Sequence, residues 1–416
     1  MKLLYDIGLR AYQKAIALAA PFHVKARRMQ QGRAQQFERL QQAMQGNQSP
    51  VVWFHCASLG EFEQGRPVIE AFREAFPRYK ILLSFFSPSG YEVRKNYSGA
   101  DYILYLPFDS EANAAQFIQL VQPKLAVFVK YEFWHYYLQE LQQQQIPVLS
   151  VSAIFQKEQV FFKPYGQFYR NILHRFTHIY TQNNQSLELL RRIHVTQASI
   201  AGDTRFDRVL QTAASVKILP LVEAFVQQQQ VFVVGSSWPA DIEALNPLIR
   251  KYHSGLKFII APHELHEAGI QAILQVAAGK AIRFSEATAA TVGDYSVLVI
   301  DNVGMLASLY SYGTYAYIGG AFGKGLHNTL EAAVFGLPLF FGPRYDRFQE
   351  AKDLVELGCA FPVKNAAGLL KAFEKVHTLP GVRQRITENE KQYVKQQAGA
   401  TVKIMEDIQR LLNKKA

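Results

Sequence analysis

Six groups of residues suited to chemistry follow predicted β-strands, and the first group places an acid at the start of a helix. The strand predicted over 51–56 leads into Ser58, Gly60 and Glu61. Ser58 and Gly60 suit a tight turn with exposed backbone N–H groups, and Glu61 then opens a helix. A carboxylate at this point could act as a general base towards an acceptor hydroxyl. Residue chemistry alone favours the simpler interpretation, an acid stabilised by the positive end of a helix.

A second acid, Glu132, follows the strand predicted over 125–129. It lies among aromatic residues in the run Lys130-Tyr131-Glu132-Phe133-Trp134. A carboxylate in such surroundings could position sugar hydroxyls. It could equally pair with Lys130 at a helix start, and the sequence does not choose between the two.

Three short groups in the second half of the chain suit the binding of a nucleotide. Ser236 and Ser237 precede Pro239, which is typical of an anion-binding helix start and also of an ordinary serine cap. His263, after a predicted strand, could contact a phosphate or a base. The loop containing Gly304 and Met305 could hold the base or ribose. Taken singly, ordinary strand-to-helix turns explain the His263 and Gly304 groups better.

The richest group runs from Gly319 to Glu331 and contains four glycines, Lys324 and Asn328. Glycines such as Gly320 let the backbone approach a phosphate closely, and Lys324 supplies positive charge. Asn328 and Glu331 are three residues apart, so they share one face of a helical turn, where Glu331 could accept from ribose hydroxyls. The spacing matches neither a Walker A loop nor GxGxxG. The alternative is a glycine-rich turn of purely conformational use.

The elements that must position these groups are short apolar strands alternating with amphipathic helices. This alternation predicts an α/β protein with mainly parallel sheets, and it restarts after about residue 208. We therefore predict two doubly wound, Rossmann-like domains facing a cleft, over 41–207 and 208–416, after an N-terminal segment at 1–40. Such domains place ligands at the carboxyl ends of their strands. One long polar helix is predicted over 383–413.

The amino-acid composition limits the classes of binding partner but does not identify one. The 416 residues carry a formal net charge of +11, which suggests nucleic acid, lipid headgroups or a phosphorylated substrate, or else a generally basic surface. No aromatic-basic nucleic-acid motif is present. The two cysteines, Cys56 and Cys359, form neither a disulfide framework nor a metal cluster and suit the cytoplasm. No cleavable signal peptide is apparent.

The first 22 residues show helical periodicity, with an apolar face and a polar face. Arg10 and Lys14 interrupt the segment, so an interfacial membrane helix fits better than a spanning one. Lys25, Arg27 and Arg28 follow, and they suit an anionic membrane surface. The alternative is a helix packed on the protein's own core.

Taken in order, these groups resemble the family of Kdo (3-deoxy-D-manno-octulosonic acid) transferases of lipopolysaccharide biosynthesis. The most specific stretches are Ser58-Leu59-Gly60-Glu61 and Gly319–Glu331, with Gly202–Asp207 between them. The resemblance implies a GT-B fold and inverting transfer of Kdo from CMP-Kdo to a lipid A precursor. It also implies a peripheral or N-terminally anchored protein on the cytoplasmic face of the inner membrane, without metal or cofactor and without a nucleic-acid partner.

The same resemblance implies a role for each group. Glu61 would be the catalytic base and Glu132 a second catalytic-site carboxylate, with Ser58 and Gly60 on the acceptor side. The CMP-Kdo site would be lined by Ser236, Ser237, His263, Gly304, Met305, Gly320, Lys324, Asn328 and Glu331.

Two departures from the family pattern concern the donor phosphate. Many members have Pro-Arg-His where this chain has Pro262-His263, and Gly-Ser-Thr-His where it has Gly235-Ser236-Ser237-Trp238. A phosphate-binding arginine is therefore missing, and His263 or Lys324 could compensate. The rival interpretations are a GT-B enzyme using a UDP-sugar, either transferase or epimerase, and a non-catalytic membrane-surface protein on a GT-B scaffold.

Overall fold

The computed structural model describes residues 1–276 and 279–413 and divides into two compact units. The first unit comprises Met1–Arg208 together with Ala398–Ala416, and the second comprises Val209–Gln397.

The first unit is built on a seven-stranded parallel sheet of order β3-β2-β1-β4-β5-β6-β7. Its strands are β1 (Val51–Cys56), β2 (Lys80–Phe85), β3 (Tyr102–Tyr105), β4 (Pro123–Val129), β5 (Val148–Ala153), β6 (His178–Thr181) and β7 (Ala198–Ile200). Its helices are α1 (Lys2–Ala19), α2 (Val24–Arg33), α3 (Gln36–Met44), α4 (Leu59–Ala75), α5 (Pro88–Arg94), α6 (Glu111–Val121), α7 (His135–Gln143), α8 (Gln167–Leu173) and α9 (Asn184–Arg192).

The central strand β1 shows why this sheet is covered on both faces. Every residue of β1 is buried, as expected for a strand between two helical layers. Val51 and Trp53 pack in one apolar cluster, whereas Val52 and Phe54 pack in the other. The alternation of side chains along a strand thus divides one apolar run between two cores.

The second unit repeats the plan with the order β10-β11-β9-β8-β12-β13-β14. Its strands are β8 (Val231–Ser237), β9 (Lys257–Pro262), β10 (Ala281–Arg283), β11 (Val297–Val299), β12 (Tyr315–Ile318), β13 (Leu339–Phe341) and β14 (Ala360–Pro362). Helix α10 (Thr204–Ala214) links the units. The helices that follow are α11 (Pro220–Val226), α12 (Pro239–Tyr252), α13 (Glu267–Val276), α14 (Leu306–Tyr310), α15 (Leu330–Ala333), α16 (Gln349–Glu356), α17 (Ala366–Thr378) and α18 (Val382–Gln397).

The C-terminal segment corrects two predictions. The single helix expected over 383–413 is two helices, α18 and α19 (Ala400–Asn413), separated at Gly399, whose φ is +106°. Helix α19 belongs to the first unit, although we assigned the whole of 208–416 to the second domain. The reason is packing: Ile404 and Ile408 enter the cluster that contains Val52. Asp207 also accepts hydrogen bonds from the backbone N–H groups of Gly399 and Thr401, at 2.6 and 2.7 Å.

The N-terminal segment 1–40, predicted as a separate region, lies within the first unit. Ile16 and Met29 form a small buried cluster against Phe86, so one side of α1 packs on the protein. The Tyr136 hydroxyl donates to Asp6 Oδ1 at 2.6 Å and adds a polar attachment. Within residues 1–276 and 279–413, no helix has the length and apolarity needed to cross a bilayer.

Candidate active site

The turn between β1 and α4 places Glu61 in the first turn of a helix. Ser58 is the residue before α4 and has extended backbone angles, which is normal for a helix cap. Its hydroxyl donates to Glu61 Oε2. Gly60 lies between the two in the same turn. Glu61 Oε1 has no hydrogen bond to the described residues, so one carboxylate oxygen remains available to accept a proton.

Glu132 lies at the carboxyl end of β4, which is the neighbour of β1 in the sheet. It is 8% exposed, and its Oε2 accepts from Trp134 Nε1 at 2.6 Å and lies 2.9 Å from His55 Nε2. His55 is fully buried, and its Nδ1 lies 2.8 Å from Ser84 Oγ on β2. Glu132 therefore pairs with His55 on β1, a contact that neither interpretation of the sequence included. This network fixes the orientation of Glu132 across three strands.

Glu61 and Glu132 both lie near the buried thiol of Cys56. Burial, and then the charges of Glu61, Glu132 and Glu63, raise the pKa of Cys56 well above its usual value. The fold thus gathers two acids 71 positions apart in sequence (132 − 61) at the carboxyl ends of adjacent strands. The thiol itself stays protonated and is not a nucleophile.

In the second unit, the end of β8 carries the two predicted serines. Ser236 adopts a left-handed backbone with φ +53°, which is uncommon for a residue other than glycine and often marks a functional turn. The Ser237 hydroxyl is buried and has no hydrogen-bond partner among the described residues. This hydroxyl therefore keeps hydrogen-bonding capacity that a ligand can use.

Asp241, in the first turn of α12, joins two predicted donor-binding loops. Its carboxylate is fully buried and accepts from the backbone N–H groups of Trp238 and Gly320, each at 2.9 Å, and from the Tyr317 hydroxyl at 2.8 Å. Burial raises the pKa of Asp241. Gly320 has φ +94°, and a Cβ there would collide with the carbonyl oxygen of Gly325. Glycine is therefore required where the loop folds back on itself.

The side-chain rings of Trp238, His263 and His327 stack beside the glycine-rich turn that contains Gly320. The Trp238 indole stacks on His263 with ring centroids 4.7 Å apart, and the His263 and His327 centroids are 4.5 Å apart. Lys324 Nζ lies 5.3 Å from the centre of the Trp238 ring. Of the residues predicted for the donor site, Ser237, His263, Gly320 and Lys324 are thereby brought to one place.

The remaining predicted donor residues lie near α14 and α15. Asn328 Nδ2 donates to Glu331 Oε1 at 3.1 Å, in agreement with their three-residue spacing. Gly304 has φ +91° and leads into Met305, the residue before α14. After burial, the charge of Glu331 is the next cause that raises the pKa of Tyr310, which places Glu331 close to α14.

Sequence reasoning gave no site role to several residues of these networks, among them His55, Asp241, Tyr317 and His327. A signal existed for Asp241, because an acid three positions after a helix cap commonly bonds back to the cap. The contacts made by the other three depend on strand order, which a single sequence does not reveal.

The chain is similar in sequence to known transferases. A family model described as 3-deoxy-D-manno-octulosonic-acid transferase (kdotransferase) matches residues 32–208. The 3-deoxy-D-manno-octulosonic acid transferase of Aquifex aeolicus is 27% identical over 348 residues, which cover 82% of this chain and 89% of that protein. The transferase of the same description from Chlamydia trachomatis serovar D is 26% identical over 364 residues, or 84% and 83% of the two chains.

Among solved structures, UDP-GlcNAc 2-epimerase from Neisseria meningitidis, bound to UDP-GlcNAc, superposes with a TM-score of 0.61. The match covers 86% of this chain and 100% of the epimerase at 16% identity, and it concerns the fold alone.

The two doubly wound seven-stranded sheets and the structural match define a GT-B fold. Residues 32–208 match the Kdo transferase family model, and the resemblance noted from the motifs extends in those relatives over most of the chain.

Proposed function

We propose that this chain transfers Kdo from CMP-Kdo to a lipid A precursor, with inversion at the anomeric carbon, in lipopolysaccharide biosynthesis. One observation carries the proposal: the Kdo transferase family model matches residues 32–208, the stretch that contains both Glu61 and Glu132. The positions of these acids at the ends of adjacent strands support a shared catalytic site.

In the proposed reaction, an acceptor hydroxyl attacks the anomeric carbon of Kdo while the bond from that carbon to the CMP phosphate oxygen breaks. Glu61 takes the hydroxyl proton, because its Oε1 is available and Ser58 orients the other oxygen. Glu132, held by His55 and Trp134, binds acceptor or sugar hydroxyls.

The proposal assigns the donor to the second unit. Ser236, Ser237, His263, Gly320 and Lys324 would face the phosphate and sugar, while Gly304, Met305, Asn328 and Glu331 would hold the nucleoside. Charge on the departing CMP would be stabilised by N–H groups at helix starts and by Lys324, without a metal. We therefore expect EDTA to leave the transfer rate unchanged.

The proposal also places the protein on the cytoplasmic face of the inner membrane. Leu18 and Phe22 of the N-terminal segment are 76% and 91% exposed, and the formal net charge is +11. Apolar side chains beside basic ones suit an anionic bilayer surface. We expect the double variant Leu18→Glu, Phe22→Glu to lose sedimentation with anionic vesicles. Val402→Glu, at another exposed apolar residue in the first unit, should sediment like wild type.

Incubation of the protein with CMP-Kdo and a lipid A precursor, followed by mass spectrometry of the lipid, tests the function. Each Kdo adds a fixed mass, so the product also reveals how many residues are transferred. Glu61→Gln should slow transfer about 10²- to 10⁴-fold, the usual contribution of a general base. The matched control is Glu63→Gln on the same helix, whose carboxylate pairs with Arg94 at 2.7 Å and should leave the rate near wild type. Equal rates for Glu61→Gln and wild type would reject Glu61 as the base.

A donor panel separates this proposal from its rival. If UDP-GlcNAc or another UDP-sugar is turned over and CMP-Kdo is not, the chain is a different GT-B enzyme. If no nucleotide sugar reacts although the folded protein still binds vesicles, the non-catalytic interpretation holds instead.

A further inference from the structure

The ring stack beside the glycine-rich turn determines which nitrogen of His327 carries a proton. Trp238 Nε1 donates a hydrogen bond to His327 Nε2 over 3.3 Å. An indole N–H can only donate, so His327 Nε2 must be the accepting nitrogen. Burial, and then the neighbouring His263, lower the pKa of His327 to about 4. The ring is therefore neutral near pH 7, and its single proton is on Nδ1.

The ring of His327 is also fixed in position. Gly320 packs against it so closely that a Cβ there would lie 3.0 Å from His327 Cδ2, and His263 covers it at 4.5 Å. The backbone N–H of His327 donates to the Gly319 carbonyl at 3.2 Å. Nδ1 has no hydrogen bond within residues 1–276 and 279–413. The result is an oriented N–H donor that is free for a ligand.

The surroundings favour an anion. The buried Ser237 hydroxyl has no partner in the described chain, and the Lys324 ammonium lies over the Trp238 ring. The Asp241 carboxylate, at the start of α12, is occupied by two backbone N–H groups and a tyrosine hydroxyl. Glu264, directly after His263, lies 3.3 Å from His266. A hydroxyl, an imidazole N–H and an ammonium therefore remain to meet negative charge.

We propose that His327 binds the phosphate of the nucleotide through Nδ1–H, and that Trp238 is the positioning residue that fixes this tautomer. The identity of the nucleotide rests on the function proposed above, but the anion-binding role does not. In this chain the arrangement compensates for the arginine that many Kdo transferases carry beside His263. Trp238, the second departure from the family pattern, is then a necessary partner of the first.

Binding of CMP to the full chain, measured by calorimetry at pH 7.5, tests the role of His327. His327→Ala should weaken CMP about 10-fold or more, the usual loss for a hydrogen bond to a charged group. His327→Asn should recover part of the affinity, because its amide NH₂ occupies the place of Nδ1–H. Wild-type affinity in His327→Ala would overturn the proposal, as would failure of His327→Asn to bind better than His327→Ala.

Trp238→Phe tests the positioning role without touching His327. It keeps a ring against His263 but removes the N–H, so the Nε2–H tautomer of His327 becomes populated. Two-bond ¹⁵N–¹H spectra should show the Nδ1–H form alone in wild type and a mixture in the variant. CMP should bind roughly 2- to 5-fold more weakly, in proportion to the lost tautomer. An unchanged tautomer in Trp238→Phe would overturn the proposal even if His327→Ala does not fold.

A titration with UDP and a transfer assay with His327→Ala separate this inference from the proposed function. If UDP binds more tightly than CMP and still depends on His327, the Kdo donor assignment fails and the anion-binding role stands. If CMP-Kdo is transferred to the lipid at the wild-type rate by His327→Ala, with unchanged CMP affinity, the function stands and the role of His327 fails.

Discussion

Replacement of Asp241 by alanine should destabilise the second unit and weaken its predicted donor site together. The Asp241 carboxylate is fully buried and is the shared acceptor for the N–H groups of Trp238 and Gly320 and for the Tyr317 hydroxyl. Alanine removes all three bonds and leaves two buried donors and one partly buried donor unsatisfied. It also frees the glycine-rich turn from the start of α12.

The size of the effect follows from those three bonds. Each buried donor left without a partner costs about 1–3 kcal/mol, and water entering the cavity offsets part of the sum. We therefore expect a loss of about 3–5 kcal/mol. For a unit of roughly 190 residues, each kcal/mol lowers Tm by about 2–4 °C, so the melting temperature should fall by about 10 °C.

Asp241→Asn is the matched control. Its amide oxygen can accept from both backbone N–H groups, and its NH₂ can donate to the tyrosine oxygen, so every group keeps a partner. We expect a loss below about 2 kcal/mol and nearly normal binding of CMP. Differential scanning calorimetry measures Tm, and isothermal titration measures CMP affinity. A Tm for Asp241→Ala within about 2 °C of wild type, or equal losses in the two variants, would refute the reasoning.

Three further predictions concern α1, the glycine-rich turn and the response to acid. Tyr5 OH donates to the buried Asp109 at 2.5 Å, so Tyr5→Phe should cost about 1.5–3 kcal/mol and speed tryptic cleavage within α1; an unchanged cleavage rate would contradict this. Gly320→Ala, at φ +94° and against a backbone oxygen, should cost more than about 2 kcal/mol, whereas Gly323→Ala, in open space, should melt like wild type. Burial, and then a neighbouring arginine, lower the pKa of His135 to about 4 from a usual value near 6.5. Its neutral form thus contributes stability that is present above pH 6.5 and lost as the pH falls through 4. His135→Gln should therefore show a smaller drop in Tm between pH 7.5 and pH 4.5; equal drops would show that His135 does not control it.

The hydrophobic pattern of the sequence predicted much of the fold, because a strand that is buried on both faces is a continuous apolar run. The run Val51–Cys56 has no polar alternation apart from His55, and it forms the central strand. The position of Glu61 was also predicted from local order, because the strand ends, Ser58 precedes a helix, and the acid falls in the first turn of that helix. Asn328 and Glu331 meet because their spacing equals one helical turn.

The C-terminal helices show where pattern reasoning failed. A polar, periodic stretch predicts helix but does not say which core the helix will cover. Gly399 takes φ +106° and separates α18 from α19, and the Asp207 carboxylate then binds the start of α19. Asp207 is 192 positions from Gly399, so this contact could not be predicted from local helix propensity.

The sequence by itself determined the alternation of strands and helices, the residues at the strand ends, and the resemblance to Kdo transferases. These properties are local, since they depend on periodicity, turn chemistry and short motifs. Tertiary structure decided which strand ends are neighbours, and hence that Glu132 meets His55 across 77 positions and that Trp238 meets His327 across 89. Strand order depends on the packing free energy of the whole sheet. It therefore cannot be inferred from the residues of any single segment.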